Sequence, residues 1–376
     1  MISNPEREQA MPLALNNRRS FGAGDAPRDV RGWSATAAIC FALVAMAIWV
    51  TARQVYQQAI ALDVNSAIAA SFFAFAIICI VCLAIPSVKA ILRGQDAKRS
   101  AEAGQLIEAR IAASKAMDYA HYTIGFSVFA AVVVGLVQFL MANDLAVSKT
   151  FLLPSLLWSS FTPILRAFWV NIYIFIVAEI CVLIWGLIVA IARLIPGKTA
   201  APVRAMAILY TDVFRGMPAI ITIYLIGFGL PLSGLPVLSD LSIESYAIIA
   251  LTLTFGAYVA EVYRSGIESI HWSQVAAARS LGLSYTQTMR YVIVPQAVRR
   301  IIPPLLNDFI GLQKDTALVN IIGSIDAFNQ AKILSSNYFN LSPVSVVAFI
   351  FVLITIPQAR LVDRILERDQ RRTRAA

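Results

Sequence analysis

The sequence predicts an all-α polytopic membrane protein, and three observations carry that reading. Of 376 residues, 59% are hydrophobic and only 14% charged, with a mean hydropathy of +0.71. A soluble chain needs a polar shell that this composition cannot supply. Apolar runs near the roughly 20 residues that cross a bilayer recur along the chain. Finally, Lys and Arg gather in alternate connections between those runs, the pattern that orients membrane proteins.

The runs define eight expected spans, at 33–51, 66–85, 122–141, 168–195, 206–230, 245–264, 299–314 and 343–361. The fifth carries an Arg-Gly and a Pro near its start, and the seventh, inside "IIPPLLNDFIGLQK", is short and polar. Placing both termini in the cytoplasm puts Arg18, Arg19, Arg28 and Arg31 inside, together with Lys89 through Lys115. Arg193, Lys198 and Arg204 fall on the same side, as do the cations from Arg264 to Arg300 and from Arg360 to Arg374. The other side keeps Arg53, Lys149, Arg166 and Lys332. This asymmetry favours a multi-pass protein with cytoplasmic ends.

The expected organisation is a cytoplasmic tail at 1–32 and a three-span extension at 33–150 whose charged connection is partly helical. A five-span unit at 151–365 contains a cytoplasmic loop at 265–298, and a basic tail follows at 366–376.

Several function classes are excluded. The net charge of +9 is spread between apolar runs, so no nucleic-acid partner is expected, whereas membrane lipid is. Cys40, Cys79, Cys82 and Cys181 lie inside apolar runs and read as small buried hydrophobes. "PGKT" at 196–199 has Ala192 where a phosphate-binding loop requires its first Gly. His121 and His271 lack partners at metal-ligand spacing, so neither a metal nor a chain-bound cofactor is expected. "NRRSF" at 17–21 looks like a twin-arginine export signal but reads as a basic tail before a full-length span.

One long stretch of the second half departs from this apolar character, "SQVAAARSLGLSYTQTMRYVIVPQ" at 273–296. Ser273 can cap a short helix that stops at Gly282. Ser284 and Gln287 have the spacing of a capping box. Tyr285, Met289 and Val292 fall on one face of the second helix, and Pro295 marks a break before the next span. A small-faced helix pair of this kind either enters a partner's groove or lies on the membrane surface, and spacing leaves both readings open.

Three segments in order decide between them by resemblance. "AAARSLGLSYTQTMRYVIVPQAVRRIIPPLLNDFIGLQKDTALVNIIG" resembles the EAA loop and following span of ABC-transporter permeases of the polar amino acid uptake branch. "DVFRGMPAIITIYLIGFGLP" and "FGAYVAEVYRSGIESI" resemble that branch's second and third core spans. The resemblance covers about residues 160–370. It implies the type I ABC importer transmembrane fold, a five-helix core here preceded by about three extra helices. It further implies a transport subunit in a bacterial inner membrane, with no catalytic residue of its own. ATP and Mg would be handled by a separate ABC ATPase dimer. The other implied partners are a periplasmic or extracytoplasmic amino-acid-binding protein and a second permease copy or paralogue.

On that resemblance, Ser273, Gln274, Ala276, Ala277, Ala278, Arg279, Gly282 and Leu283 form the ATPase-coupling loop. Ala276 stands where the family has Glu. That acid would complete a capping box with Ser273, so its loss is expected to cost about 0.5–1 kcal/mol of local helix stability. Substrate-pathway candidates are the ionisable and polar residues within spans, where such groups suggest function. They are Glu179, the stripe Thr254, Tyr258 and Glu261, and Asn307, Asp308 and Lys314 of the seventh span. An interhelical hydrogen bond for Glu179 and an ion pair of Glu261 with Arg264 are the structural alternatives. Two rival functions remain expectations at this point: an ion-coupled secondary transporter or channel without an ATPase, and a membrane scaffold whose loop recruits a cytosolic protein.

Overall fold

The computed structural model describes residues 29–62 and 64–375, with side chains described to residue 367. Arg18, Arg19, Arg28 and "NRRSF", hence most of the expected amino-terminal tail, lie outside the described residues, as do the side chains of most of the basic tail. Two compact units divide at Val147 and Ser148.

The first unit contains α1 (Arg31–Ala61), α2 (Ser66–Glu102) and most of α3 (Leu106–Phe151), which is interrupted by non-helical residues from Ala142 to Leu145. The buried residues of α2 include Ala69, Ala76, Leu83, Ala90 and Ala97, a strict seven-residue repeat. Those of α3 are Ala109, Ala113, Ala116, Ala120, Thr123 and Ser127, alternating steps of four and three. This is the seam of a left-handed coiled coil. Ala37, Ala90 and Ala120 meet at one level, where small side chains let three backbones approach. At 1.5 Å per residue α2 is about 55 Å long, well beyond a hydrocarbon core of about 30 Å. Its polar end and the start of α3 form the helical hairpin expected of the charged connection, turned at Gly104 with φ +78°.

The second unit begins with α4 (Pro154–Leu194), followed by α5 (Ala201–Gly216), α6 (Ala219–Leu232) and α7 (Ile243–Glu268). Next come α8 (Trp272–Ser280), α9 (Tyr285–Thr288), a π turn (Met289–Ile293) and α10 (Val294–Asp315). A 3-10 segment (Thr316–Ile322), α11 (Ala327–Tyr338) and α12 (Ser342–Ala375) complete it. Ala178, Val182, Gly186 and Ala190 recur every four residues on the buried face of α4. Opposite them α7 presents Ala247, Ala250, Leu251 and Val259, with Ile223 of α6 and Leu312 of α10 closing the cluster. A second cluster joins Ile164 and Phe168 of α4 to α11 and α12 through Ala327, Ala331, Val346 and Ile350.

The expected fifth span, 206–230, is corrected. Residues 201–232 form two helices bent by 106° at Met217-Pro218. Pro218 has no N–H to continue the α5 ladder, and the residue before it is driven to an extended backbone, as Met217 is at ψ 131°. Among the described residues, five helical stretches are long and apolar enough to cross a membrane. One of them is the run of α3 and α4 together, and the bent pair makes a sixth. The seventh expected span lies within α10, which is too polar to qualify by composition and packs instead against α7 and α12.

Buried Asn171 of α4 organises the opposite end of the unit. Its Nδ2 donates to Asp326 Oδ2 at 3.0 Å and to the Thr316 carbonyl at 3.2 Å, and its Oδ1 accepts from Ala327 N at 3.0 Å. Asp326 in turn caps α11 by accepting from Asn329 N at 2.9 Å.

The approach of α4 to α7 depends on Gly186. A Cβ there would stand 2.7 Å from Val259 Cγ1 and 3.2 Å from Ala260 N. Gly186→Ala is expected to destabilise the unit by about 1–3 kcal/mol through overpacking, read as a lowered unfolding midpoint of the purified protein in detergent.

Candidate functional site

The polar loop folds as two short helices around a left-handed glycine. Gly282 has φ +82°, and Gly282 N and Leu283 N donate back to the Arg279 and Ala278 carbonyls. Arg279 Nη1 also bonds the Leu283 carbonyl at 3.0 Å. Ser284 caps α9 with the expected capping box, Gln287 N donating to Ser284 Oγ at 3.2 Å and Ser284 N to Gln287 Oε1 at 2.8 Å.

Two local expectations are corrected. The residue that caps α8 is His271, whose Nδ1 accepts from Ser273 N at 3.3 Å. Ser273 is therefore the second helical residue and Ala276 the fifth, beyond the first turn whose N–H groups a side chain can cap. An acid at 276 cannot complete a capping box here, so the capping cost assigned to Ala276 does not apply. Pro295, too, breaks nothing. It occupies the first turn of α10, where a missing N–H is tolerated, and the chain runs on from α9 through the π turn.

The inward side of the loop packs Val275, Met289 and Val292 on Ile270, Ile293 and Ala297. Gln274 Oε1 accepts from Gln296 Nε2, joining α8 to α10. Ala276 and Ala277 remain exposed, as do Trp272 and Leu281, the last 83% exposed. Tyr285 points away from the packed side, so the expected face of Tyr285, Met289 and Val292 is met only in its last two members. The loop is thus anchored on one side and on the other presents polar residues together with Ala276, Ala277, Trp272 and Leu281.

The pathway candidates separate into three groups. Glu179 on α4 and Asp308 on α10 are half-buried and within electrostatic reach of each other. Arg215 at the end of α5 reaches Asp308 electrostatically, and Asp308 Oδ2 is buried without a hydrogen-bond partner among the described residues. Thr254, Tyr258 and Glu261 are engaged within the protein. Thr254 Oγ1 donates to the Ala250 carbonyl at 3.0 Å, and Tyr258 Oη to the Arg215 carbonyl at 3.3 Å. Glu261 pairs with Arg264, and also with Arg193 at 2.5 Å and Arg215 at 3.8 Å. Asn307 and Lys314 are exposed on α10.

Residues 183–374 match the family model described as binding-protein-dependent transport system inner membrane component. The chain belongs to this family. The matched segment takes in α5 to α11 and nearly all of α12, with the polar loop near its middle. Among relatives, the probable amino-acid permease protein YxeN of Bacillus subtilis is 34% identical over 54% of this chain and 90% of its own. The glutamine transport system permease protein GlnP of Escherichia coli is 32% identical over 58% of this chain and 96% of its own. A solved structure titled as an amino acid ABC transporter with histidines covers 56% of this chain and 96% of its own chain, at 31% identity and a TM-score of 0.51. This inner-membrane component therefore has the type I ABC importer permease fold, with additional helices before it. The ion-coupled reading gains no support from these likenesses.

Two features of the component escaped sequence reasoning. Asn171 is a lone amide in an apolar run, a signal equal in kind to Glu179. Arg193 reads as an edge charge, yet it lies on the same α4 face as buried Ala190 and turns inward to Glu261.

The capping box makes a local test. Ser284→Ala is expected to cost about 1 kcal/mol at the start of α9, and amide exchange should quicken in residues 285–293 while α7 and α12 keep their protection.

Proposed function

We propose that this permease component moves polar amino acids inward, coupled through residues 273–283 to a separate ABC ATPase dimer. The carrying observation is the loop's form, a fastened two-helix unit that exposes Ala276 and Ala277 of α8, within the segment that matches the family. A groove admits such a helix closely because alanine side chains keep the backbones near. Trp272 and Leu281 flank the alanines as apolar anchors. The cytoplasmic placement of this loop and of both termini follows from the distribution of Lys and Arg. An extracytoplasmic amino-acid-binding protein and a second permease, copy or paralogue, complete the assembly.

The substrate class follows from the relatives' names and from the polar groups inside the helices. A zwitterion needs an anion for its ammonium and a donor for its carboxylate. Glu179 and Asp308 offer the first, and Arg215 offers the second. Their placement on three different elements means that a change in helix packing alters their spacing, which suits a site that must bind and release. Asn307 and Lys314, exposed on α10, fit a surface toward the second permease or the open pathway.

Reconstitution with the ATPase and binding protein in vesicles is expected to give uptake that requires both ATP and the binding protein. Uptake that persists without them would overturn the reading. Gly282→Val should abolish co-purification of the ATPase. A β-branched residue is strongly disfavoured at φ +82°, although its Cβ would meet no neighbour within 4 Å.

Asp308→Asn tests the pathway. Weakening a charge-assisted contact of about 1.5–3 kcal/mol should lower uptake roughly tenfold or more, while the variant still co-purifies with the ATPase.

A further inference from the structure

Glu261 lies in the last two turns of α7, and its carboxylate gathers cations from three directions. Arg193 of α4 donates to Oε2 at 2.5 Å, and Arg215 at the end of α5 reaches the same oxygen at 3.8 Å. Arg264, one turn further along α7, takes Oε1 and also binds Glu268. Arg193 additionally donates to Thr211 Oγ1 of α5 at 3.1 Å. The side chains of Arg193 and Glu261 are only 13% and 21% exposed, so that pair is shielded from solvent, whereas Arg215 is 41% exposed.

The location of Arg215 gives the cluster its meaning. It immediately precedes Gly216-Met217-Pro218, where α5 and α6 meet at 106°. No α-helical hydrogen-bond ladder crosses that joint, because Met217 is extended and Pro218 has no N–H. The angle therefore depends on contacts with neighbouring helices, α7 packing on both α5 and α6. Three of those contacts come from side chains of α7: the Glu261 carboxylate, the Tyr258 hydroxyl on the Arg215 carbonyl, and the Tyr258 ring 5.8 Å from the Arg215 guanidinium. On its other side, α7 is separated from α8 by only Ser269 to His271, and Arg300 of α10 fixes that connection through the Ser269 carbonyl at 2.6 Å.

We propose that Glu261 is a positioning residue for transport, the group through which displacement of α8 reaches the α5–α6 joint and α4. The inference rests on the reading of α8 as the helix that docks the ATPase. A short, fixed connection passes movement of α8 to the end of α7. Glu261 passes it to Arg215 at the joint and to Arg193 on α4. Without the carboxylate, α8 and the ATPase still engage, but α4 loses its ionic link to α7 and the joint keeps only its Tyr258 contacts, so it follows incompletely.

The test compares wild type, Glu261→Gln and the double variant Arg193→Gln with Glu261→Gln, each reconstituted with its ATPase and binding protein. The single variant leaves Arg193 facing a neutral amide, whereas the double variant removes that uncompensated charge. The expected result is normal co-purification and continuing ATP hydrolysis in both. Amino acid taken up per ATP hydrolysed should fall about tenfold, within the span of ordinary coupling free energies. A merely structural role would instead lower the unfolding midpoint of the single variant and be relieved, with uptake, in the double variant. Uptake per ATP restored in the double variant, or undiminished in either, would overturn the proposal. A wild-type complex without ATP-dependent uptake would overturn the functional reading and this inference with it.

Discussion

Within the carboxy-terminal unit, the larger of the hydrophobic clusters is placed by how closely α4 and α7 approach. In lipid, apolar side chains gain little by leaving hydrocarbon for one another, so helix association rests on fit. The four-residue repeat Ala178, Val182, Gly186 and Ala190 supplies a shallow ridge, and the alanines of α7 accept it. That contact sets the distance across which Arg193 meets Glu261, and it leaves α6 and α10 to close the same cluster from either side. Glu179 stands on the α4 turn that bears Ala178, so its place beside Asp308 follows from the same packing. The placement of these polar groups depends on apolar geometry.

The sequence disclosed a good part of this, unevenly. Spans were legible because apolar composition alone reports them, and the loop because polar residues there have no other reason to cluster. Composition is blind to direction, however, and the joint at Met217-Pro218 passed as the start of a continuous span. The amino acids needed to see it were in view, since a proline with an arginine and a glycine before it is a helix end as much as a helix entry. The cap of α8 was placed on Ser273 by residue preference, and His271 took that role because its ring nitrogen lies within reach of Ser273 N. Glu179 stood out as an acid in an apolar run, and Asp308 as one of the polar residues of the seventh span. Their proximity did not, because it joins positions far apart in the chain, and no local rule reports which faces meet. Glu261 was legible as a partner of Arg264 one turn away, whereas Arg193 and Arg215 come from other helices.

The amino-terminal unit shows the same limit in another form. Its seven-residue repeat, Ala69 to Ala97, is written plainly in α2. From Ala69 to Leu83 it was hidden because nearly every neighbour is apolar too, so hydropathy carries no period there. Only burial separates the seam from the lipid-facing residues. The unit has a core of its own, built from α1, α2 and α3, and it lies before the segment that matches the family.

The π turn at Met289–Ile293 carries one more consequence. Such a turn spans five residues per hydrogen-bonded step where an α-helix spans four, so it accommodates one residue more than the regular ladder. In an α-helix one residue corresponds to about 100° of rotation. The wide turn therefore acts as a phase shift between two faces of one continuous rod. It allows Met289 and Val292 to pack with Val275 of α8 while α10 carries Leu312 into the cluster with α7 and Asp308 within electrostatic reach of Glu179. A regular helix of the same sequence could satisfy one of those orientations but would rotate the other out of register.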